Sequence, residues 1–98
     1  MKNYMVIIKL PPVMTKKFIN LIPAQRAKID ALMAQGIICN YSLAMDRSML
    51  WTTIAADSEI KVMEILAEFP LINFMKPAIF ELAFHHSVFY NLHSVSLN

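Results

Sequence analysis

The sequence predicts an α+β domain of the ferredoxin-like type, and two observations lead to that prediction. Four apolar, β-rich runs and two amphipathic segments follow one another in the order βαββαβ. The chain has 98 residues, which is enough for one domain with a single hydrophobic core. In this arrangement both helices cover one face of a four-stranded antiparallel sheet. Strands one and three are then central, and strands two and four are edges.

The first two elements are a buried strand and a long helix. The run from Tyr4 to Leu10 is apolar on both faces except for Lys9, which is typical of a central strand. Thr15 is placed to cap the helix, which ends near Gly36, the only glycine. Pro23 lies inside the helical pattern and predicts a bend there or a division into two helices. The predicted core positions are Phe18, Leu21, Ile22, Ile29, Leu32 and Met33.

Gln25 and Arg26 are candidate ligand-binding residues in this helix. Extending the apolar stripe from Leu21 and Ile22 places Gln25 on the inner face, with Arg26 beside it. Both side chains then look into a pocket. If Pro23 resets the phase of the helix instead, both are solvated.

A hairpin follows, with strands at residues 37–45 and 48–56 and a tight turn at Asp46 and Arg47. Strict alternation gives the first strand one small, polar face that comprises Ile38, Asn40, Ser42 and Ala44. This face either lines a cavity or meets solvent. Tyr41 and Trp51 are either core or interface residues or ligand contacts. Arg47 is solvated at the turn unless it points inward, where it would clamp an anion.

The second helix begins after Asp57 or Ser58, either of which is placed to cap it, and Pro70 ends it. Its buried stripe comprises Val62, Ile65, Leu66 and Phe69. We expect the domain to span residues 1–87. Residues 88–98 are too apolar for a free end, so we expect this tail to pack on the domain or on a neighbouring subunit.

The last strand alternates between an apolar and a mixed face up to two adjacent histidines, His85 and His86. Pro77 has no N–H to donate and therefore restricts this strand to an edge. We expect Glu81 to pair with Lys9 across neighbouring strands. The histidines are either a structural pair or part of a site. Because neighbours on a strand face opposite ways, they should not share a metal ion, and no metal is expected.

Composition narrows the class of protein and its partners. Hydrophobic residues make up 57% of the chain, charged residues 16%, and the mean hydropathy is +0.48. No apolar run reaches the roughly 18 residues of a membrane helix. A subunit interface is therefore the simplest place in which the excess apolar surface can be buried. We therefore expect a homodimer or higher homo-oligomer, with no membrane partner. The net charge of +2 without a basic cluster argues against nucleic acid, and a single cysteine fits the cytoplasm.

Several short stretches together suggest a known family. They are Ala55-Ala56-Asp57-Ser58 at the entry to the second helix, Phe69-Pro70-Leu71 at its end, Phe74-Met75, and finally His85 with Ser87. Over roughly Tyr4 to Ser87 the chain resembles the muconolactone isomerase family of the dimeric α/β-barrel superfamily. The resemblance implies that two sheets pack face to face in a homodimer.

The resemblance also implies chemistry that needs no metal and no organic cofactor. A proton moves along a small unsaturated lactone, which requires a base, a donor to the developing dienolate oxygen and exclusion of water. His85 is the candidate base, because imidazole exchanges protons near neutral pH. The candidate donors are Arg47, Tyr41, Gln25 and Arg26. Trp51 is a candidate apolar wall, and Ser87 a further candidate contact with the small-molecule ligand.

Two other functions remain open at this point. Gln25 and Arg26 stand where the family carries acidic and basic residues, so a carboxylate base is missing from the first helix. This favours a non-catalytic module that binds a small molecule in the same cavity. The third candidate is a cofactor-independent oxygenase on the same barrel, which rests on analogy of fold alone.

Overall fold

A computed structural model describes residues 1–86, which form four strands, two α-helices and one turn of 3₁₀ helix. The elements are β1 (Lys2–Lys9), α1 (Lys16–Ala34), β2 (Ile38–Leu43), β3 (Met49–Ala56), α2 (Glu59–Ala67), the 3₁₀ turn (Ile72–Phe74) and β4 (Lys76–Glu81). This order confirms the predicted α+β, ferredoxin-like fold. Ser87 and the predicted packing of residues 88–98 lie outside the described residues.

The four strands form one antiparallel sheet in the order β2-β3-β1-β4. The central positions of β1 and β3 and the edge positions of β2 and β4 are therefore confirmed. Pro77 lies in β4 opposite Ile8 of β1. Among residues 1–86 the outer side of this edge strand has no neighbour in the sheet, so a residue without an N–H can be placed there without loss of a ladder bond.

The hydrophobic core lies between the helices and one face of the sheet. Every second residue of β1 is buried on this face, namely Tyr4, Val6 and Ile8. The helices contribute Phe18, Ile29, Leu32, Val62, Ile65 and Leu66. Phe18 meets Phe74 edge to face, with ring centroids 5.3 Å apart. The periodicity of two in the strand and of about 3.6 in the helices thus accounts for the core.

Helix α1 is continuous from Lys16 to Ala34 although it contains Pro23, so the alternative of two separate helices is wrong. Thr15 caps it as predicted, because its hydroxyl accepts a hydrogen bond from the Phe18 N–H. Gly36 follows the end of the helix with φ +74°, a left-handed conformation that glycine adopts without strain. Met33 was predicted in the core, but 43% of it is exposed.

A β-bulge shifts the register of β2 between Ile38 and Asn40. Ile38 therefore faces the core opposite Ile54, and the predicted face shared by Ile38, Asn40 and Ser42 is wrong. The Asn40 side chain makes hydrogen bonds to Thr53 at the point where the bulge interrupts the backbone ladder. Its Oδ1 accepts from the Thr53 N–H at 3.1 Å, and its Nδ2 donates to Thr53 Oγ1 at 3.2 Å.

Asn40→Ala should lower the free energy of unfolding by about 1–3 kcal/mol, because it leaves the N–H of the buried Thr53 without its acceptor. Asn40→Asp is the matched control, since a carboxylate still accepts from the N–H, and the Thr53 hydroxyl can turn to donate to it. Urea unfolding curves of the two variants measure the difference. Equal stability of Asn40→Ala and the wild type would contradict this role of the amide.

The pairing and the length of β4 both differ from the sequence prediction. Lys9 lies opposite Lys76, whereas Glu81 lies opposite Tyr4 and its carboxylate is 3.7 Å from the Lys2 ammonium. The predicted pair of Glu81 with Lys9 is therefore wrong. Strand β4 also ends at Glu81, so the two histidines follow the strand and do not belong to it. Within residues 1–86 no helix is long and apolar enough to cross a bilayer.

Candidate functional site

A cavity of about 260 Å³ lies between α1 and the helix-facing side of the sheet, at the end where β1 stops. Its walls are mostly apolar and include Leu10, Met14, Phe18, Ile22, Leu43, Leu50 and Leu71. Four polar side chains line it, and all four are predicted site residues: Gln25, Arg26, Tyr41 and Arg47. An apolar chamber with a few convergent polar groups is the usual form of a small-molecule site.

Gln25 lies on the inner face of α1, as the apolar stripe predicted, and only 3% of it is exposed. Its Oε1 accepts a hydrogen bond from the Leu71 N–H at 3.1 Å, and its Nε2 donates to Tyr41 Oη at 3.3 Å. The amide therefore joins three elements: α1, β2 and the turn after α2. Pro23 does not reset the helical phase, so the alternative of a solvated Gln25 is wrong.

Tyr41 projects from β2 on the helix-facing side, where it lies opposite Thr52. Burial raises the pKa of its hydroxyl above the ordinary value, and the hydrogen bond from Gln25 opposes this only in part. The hydroxyl is therefore protonated at neutral pH. Because its oxygen accepts from Gln25, its own proton remains available to a ligand in the cavity.

Arg26 and Arg47 bring two positive charges to the cavity wall. The ion pairs among residues 1–86 involve Lys2, Lys28 and Lys61 and neither arginine. Both arginines are exposed to solvent, and both nevertheless line the cavity. Their guanidinium groups bring positive charge to the cavity, which suits an anion.

The turn that carries Arg47 is held in an uncommon backbone conformation. Arg47 has φ 63°, in the left-handed region that is unfavourable for most residues with a side chain. The Asp46 carboxylate accepts from both the N–H and the hydroxyl of Ser48, at 3.0 and 2.7 Å, and these bonds lower the pKa of Asp46. The turn thus fixes the direction in which Arg47 leaves the backbone.

Two predicted site residues do not line this cavity. Trp51 lies on the opposite face of the sheet, which neither α1 nor α2 covers, and 36% of it is exposed as far as residues 1–86 show. His85 follows β4, which is the edge strand opposite to the edge strand β2 that carries Tyr41. Three strand spacings separate β2 from β4, about 14 Å, and no residue from 76 to 86 lines the cavity. Ser87 lies outside the described residues.

Sequence reasoning missed the backbone contribution of Leu71 and the apolar wall around it. Helix α2 ends at Ala67, three residues before Pro70, so the prediction that Pro70 ends the helix is wrong and the Leu71 N–H lies outside the helix. That proline was the available signal, but nothing in the sequence tells which side chain accepts from the N–H. Among residues 1–86 no three histidine, cysteine or acidic side chains lie together as metal ligands would.

The fold and the cavity define a class: small ferredoxin-like α+β domains with a mostly apolar cavity, lined by a few polar side chains, between one helix and the sheet. Residues 4–88 match the model of one family of this class, described as muconolactone delta-isomerase. The chain belongs to the muconolactone delta-isomerase family. A comparison with curated proteins gave no match. Membership supports an isomerase-like or related function for this protein.

Proposed function

We propose that this protein is a cofactor-free isomerase that moves a proton on a small unsaturated lactone bearing a carboxylate. The observation that carries the proposal is the cavity itself, in which a protonated Tyr41 hydroxyl faces the same space as Arg26 and Arg47. The arginines suit the carboxylate of the ligand. The hydroxyl suits its carbonyl oxygen, and the apolar wall suits an unsaturated ring.

The reaction needs no oxidant and no second substrate. A base removes the proton from the γ carbon of the lactone, and the electron pair of that C–H bond moves through the double bond onto the carbonyl oxygen. The resulting dienolate is protonated at the α carbon, so the double bond moves from the α,β to the β,γ position. The Tyr41 O–H donates a hydrogen bond to the oxygen on which negative charge develops. The apolar wall excludes water from the dienolate.

The base is His85 supplied by a second copy of the chain. The uncovered sheet face carries Met5, Ile7, Trp51 and Phe80, the last 52% exposed, and such a face is suited to burial against another protein surface. A two-fold axis would pair this face with itself. The proposed oligomer is therefore at least a homodimer.

The position of residues 82–86 favours one of the two ways in which the faces can pair. Lys9 and Lys76 lie side by side at one end of the uncovered face, and residues 82–86 follow β4 at its other end. A two-fold axis along the strands would keep residues 82–86 of both copies at the same end of the pair. An axis across the strands instead places residues 82–86 of one copy at the Lys9 end of the other, and His85 then reaches the cavity around that end of the sheet.

Mixing two inactive variants tests this arrangement. Tyr41→Phe and His85→Ala should each be nearly inactive alone, and unfolding and refolding them together should restore about a quarter of the wild-type sites. The reason is that half of the dimers are mixed and each mixed dimer holds one complete site. Light scattering must show an oligomer before and after mixing. No gain of activity in a mixed oligomer would contradict a base from the second copy.

A second candidate function follows from the cavity wall, in which no histidine and no carboxylate is present among the described residues. Without a base the cavity binds a ligand but does not transform it. A panel of muconolactone, its methyl ester and an unsubstituted butenolide in deuterated buffer separates the two functions by NMR. If the protein is an isomerase, the double bond of muconolactone should move faster than the double bonds of the other two compounds. Saturable line broadening of muconolactone without conversion would instead establish a binding module.

A further inference from the structure

We infer that Gln25 is a positioning residue, which sets the direction of the Tyr41 hydroxyl and so makes Tyr41 a hydrogen-bond donor to the ligand. The inference rests on the proposed function for its effect on turnover. Its structural content, the direction of one hydrogen bond, stands on the contacts of Gln25 alone.

The direction follows from which groups can donate. The Leu71 backbone N–H can only donate, so the oxygen of the Gln25 amide must face it, and the contact is 3.1 Å. The amide nitrogen then faces Tyr41 at 3.3 Å. An amide nitrogen has no lone pair to offer, so the Tyr41 oxygen is the acceptor in this contact. The one proton of the hydroxyl is therefore left for a different partner.

The amide has little freedom to turn over. Gln25 is buried, and a rotated amide would place its NH₂ group against the Leu71 N–H, donor against donor. Leu71 is itself buried, so its N–H would lose its partner without access to water. The backbone at Leu71 thus fixes the amide, and the amide fixes the hydroxyl. Tyr41 lines the cavity, so the remaining proton has a ligand as its partner.

Gln25→Glu reverses the last hydrogen bond with hardly any change of shape. A carboxylate still accepts from the Leu71 N–H, but it cannot donate, so the Tyr41 hydroxyl must turn and donate to it. We expect turnover to fall about as far as in Tyr41→Phe, by about 100-fold to 1,000-fold, because the ligand oxygen loses its donor. The loss should appear in kcat more than in KM.

The pH profile separates positioning from damage to the fold. Burial raises the pKa of the introduced carboxyl, whereas the hydrogen bonds from the Leu71 N–H and the Tyr41 hydroxyl and the charges of Arg26 and Arg47 lower it. Whatever its pKa, the protonated carboxyl donates to Tyr41 as the amide does. Turnover of Gln25→Glu should therefore recover as the pH falls through that pKa, relative to the wild type at the same pH. Gln25→Met, which fills the same space without donor or acceptor, is the control. Its loss should not depend on pH in this way.

A readout without turnover keeps the inference testable even if the proposed reaction is wrong. The chain contains three tyrosines, so ¹³C labelling at the hydroxyl-bearing carbon gives few signals, and Tyr41→Phe identifies the one to follow. In Gln25→Glu this signal should shift relative to the wild type at high pH and return as the carboxyl is protonated. Gln25→Met should show no such titration.

The Tyr41 signal and the turnover of Gln25→Glu together test the inference and the proposed function separately. A titrating Tyr41 signal with recovery of turnover at low pH supports both the inference and the proposed function. A titrating signal in a protein that converts none of the lactones supports the inference and overturns the proposed reaction. A folded Gln25→Glu variant whose Tyr41 signal does not titrate overturns the inference, whatever the activity.

Discussion

Tyr41→Phe is expected to lower kcat for muconolactone about 100-fold to 1,000-fold, the usual effect of removing one donor to a developing oxyanion. The change removes a single oxygen atom and leaves the ring in place. It also leaves the Gln25 Nε2 without its acceptor, which costs some stability but keeps the bond to Leu71. KM should change much less than kcat, because the hydroxyl interacts most strongly with the charge of the dienolate.

Tyr4→Phe is the matched control for this substitution. Tyr4 is a tyrosine of the same sheet, it is buried, and it does not line the cavity. Loss of a hydroxyl there should leave kcat unchanged, whatever it does to stability. Steady-state rates of both variants decide the question. If Tyr41→Phe turns over as fast as Tyr4→Phe, the hydroxyl is not the donor.

Removing the two cavity arginines should have the second largest effect, and it should depend on the ligand. The double variant Arg26→Gln, Arg47→Gln keeps two polar side chains but loses both charges. Hydrogen bonds to a charged group contribute about 1.5–3 kcal/mol each, so affinity for muconolactone should fall at least about tenfold. Affinity for its methyl ester, which has no negative charge, should be nearly unchanged.

Lys28→Gln is the control for net charge. Lys28 lies on the same helix as Arg26, but its ammonium is 3.6 Å from the Glu68 carboxylate and it does not line the cavity. Its removal should alter affinity for the acid and the ester equally. Calorimetric or NMR titration with both ligands measures the four affinities. Equal losses for acid and ester in the double arginine variant would show that the arginines do not bind the carboxylate.

The fold was predictable because burial imposes a period on the sequence. The even residues of β1 and the stripes of α1 and α2 are apolar where they meet the core, except for Gln25, and the sheet order follows from the order of the elements. The bulge near Asn40 was not predictable, since one inserted residue changes every later face without changing the residue types. The predicted pairing of Glu81 with Lys9 was wrong for a related reason. The register of two strands joined by a long connection is set by the core, not by their charges.

The sequence could predict the position of a site residue only where that position depends on a single helix or turn. The stripe of α1 placed Gln25 inward, and the hairpin placed Arg47 at a turn. Which residues meet in one cavity depends on the order of the strands in the sheet, and His85 follows β4, at the edge opposite to β2 and Tyr41. Trp51 was assigned to the pocket through the resemblance to the family alone. The alternation of its strand could not say which of the two faces the helices cover.

The central claim is that the cavity beside Tyr41 holds the ligand, and ¹³C NMR of labelled tyrosine during titration with muconolactone tests it most directly. The signal of Tyr41 should shift with a saturable dependence on ligand concentration that matches turnover, while the signal of Tyr4 stays in place. The double arginine variant should need more ligand for the same shift. A Tyr41 signal that does not move at concentrations that saturate turnover would place the reaction elsewhere and contradict this account.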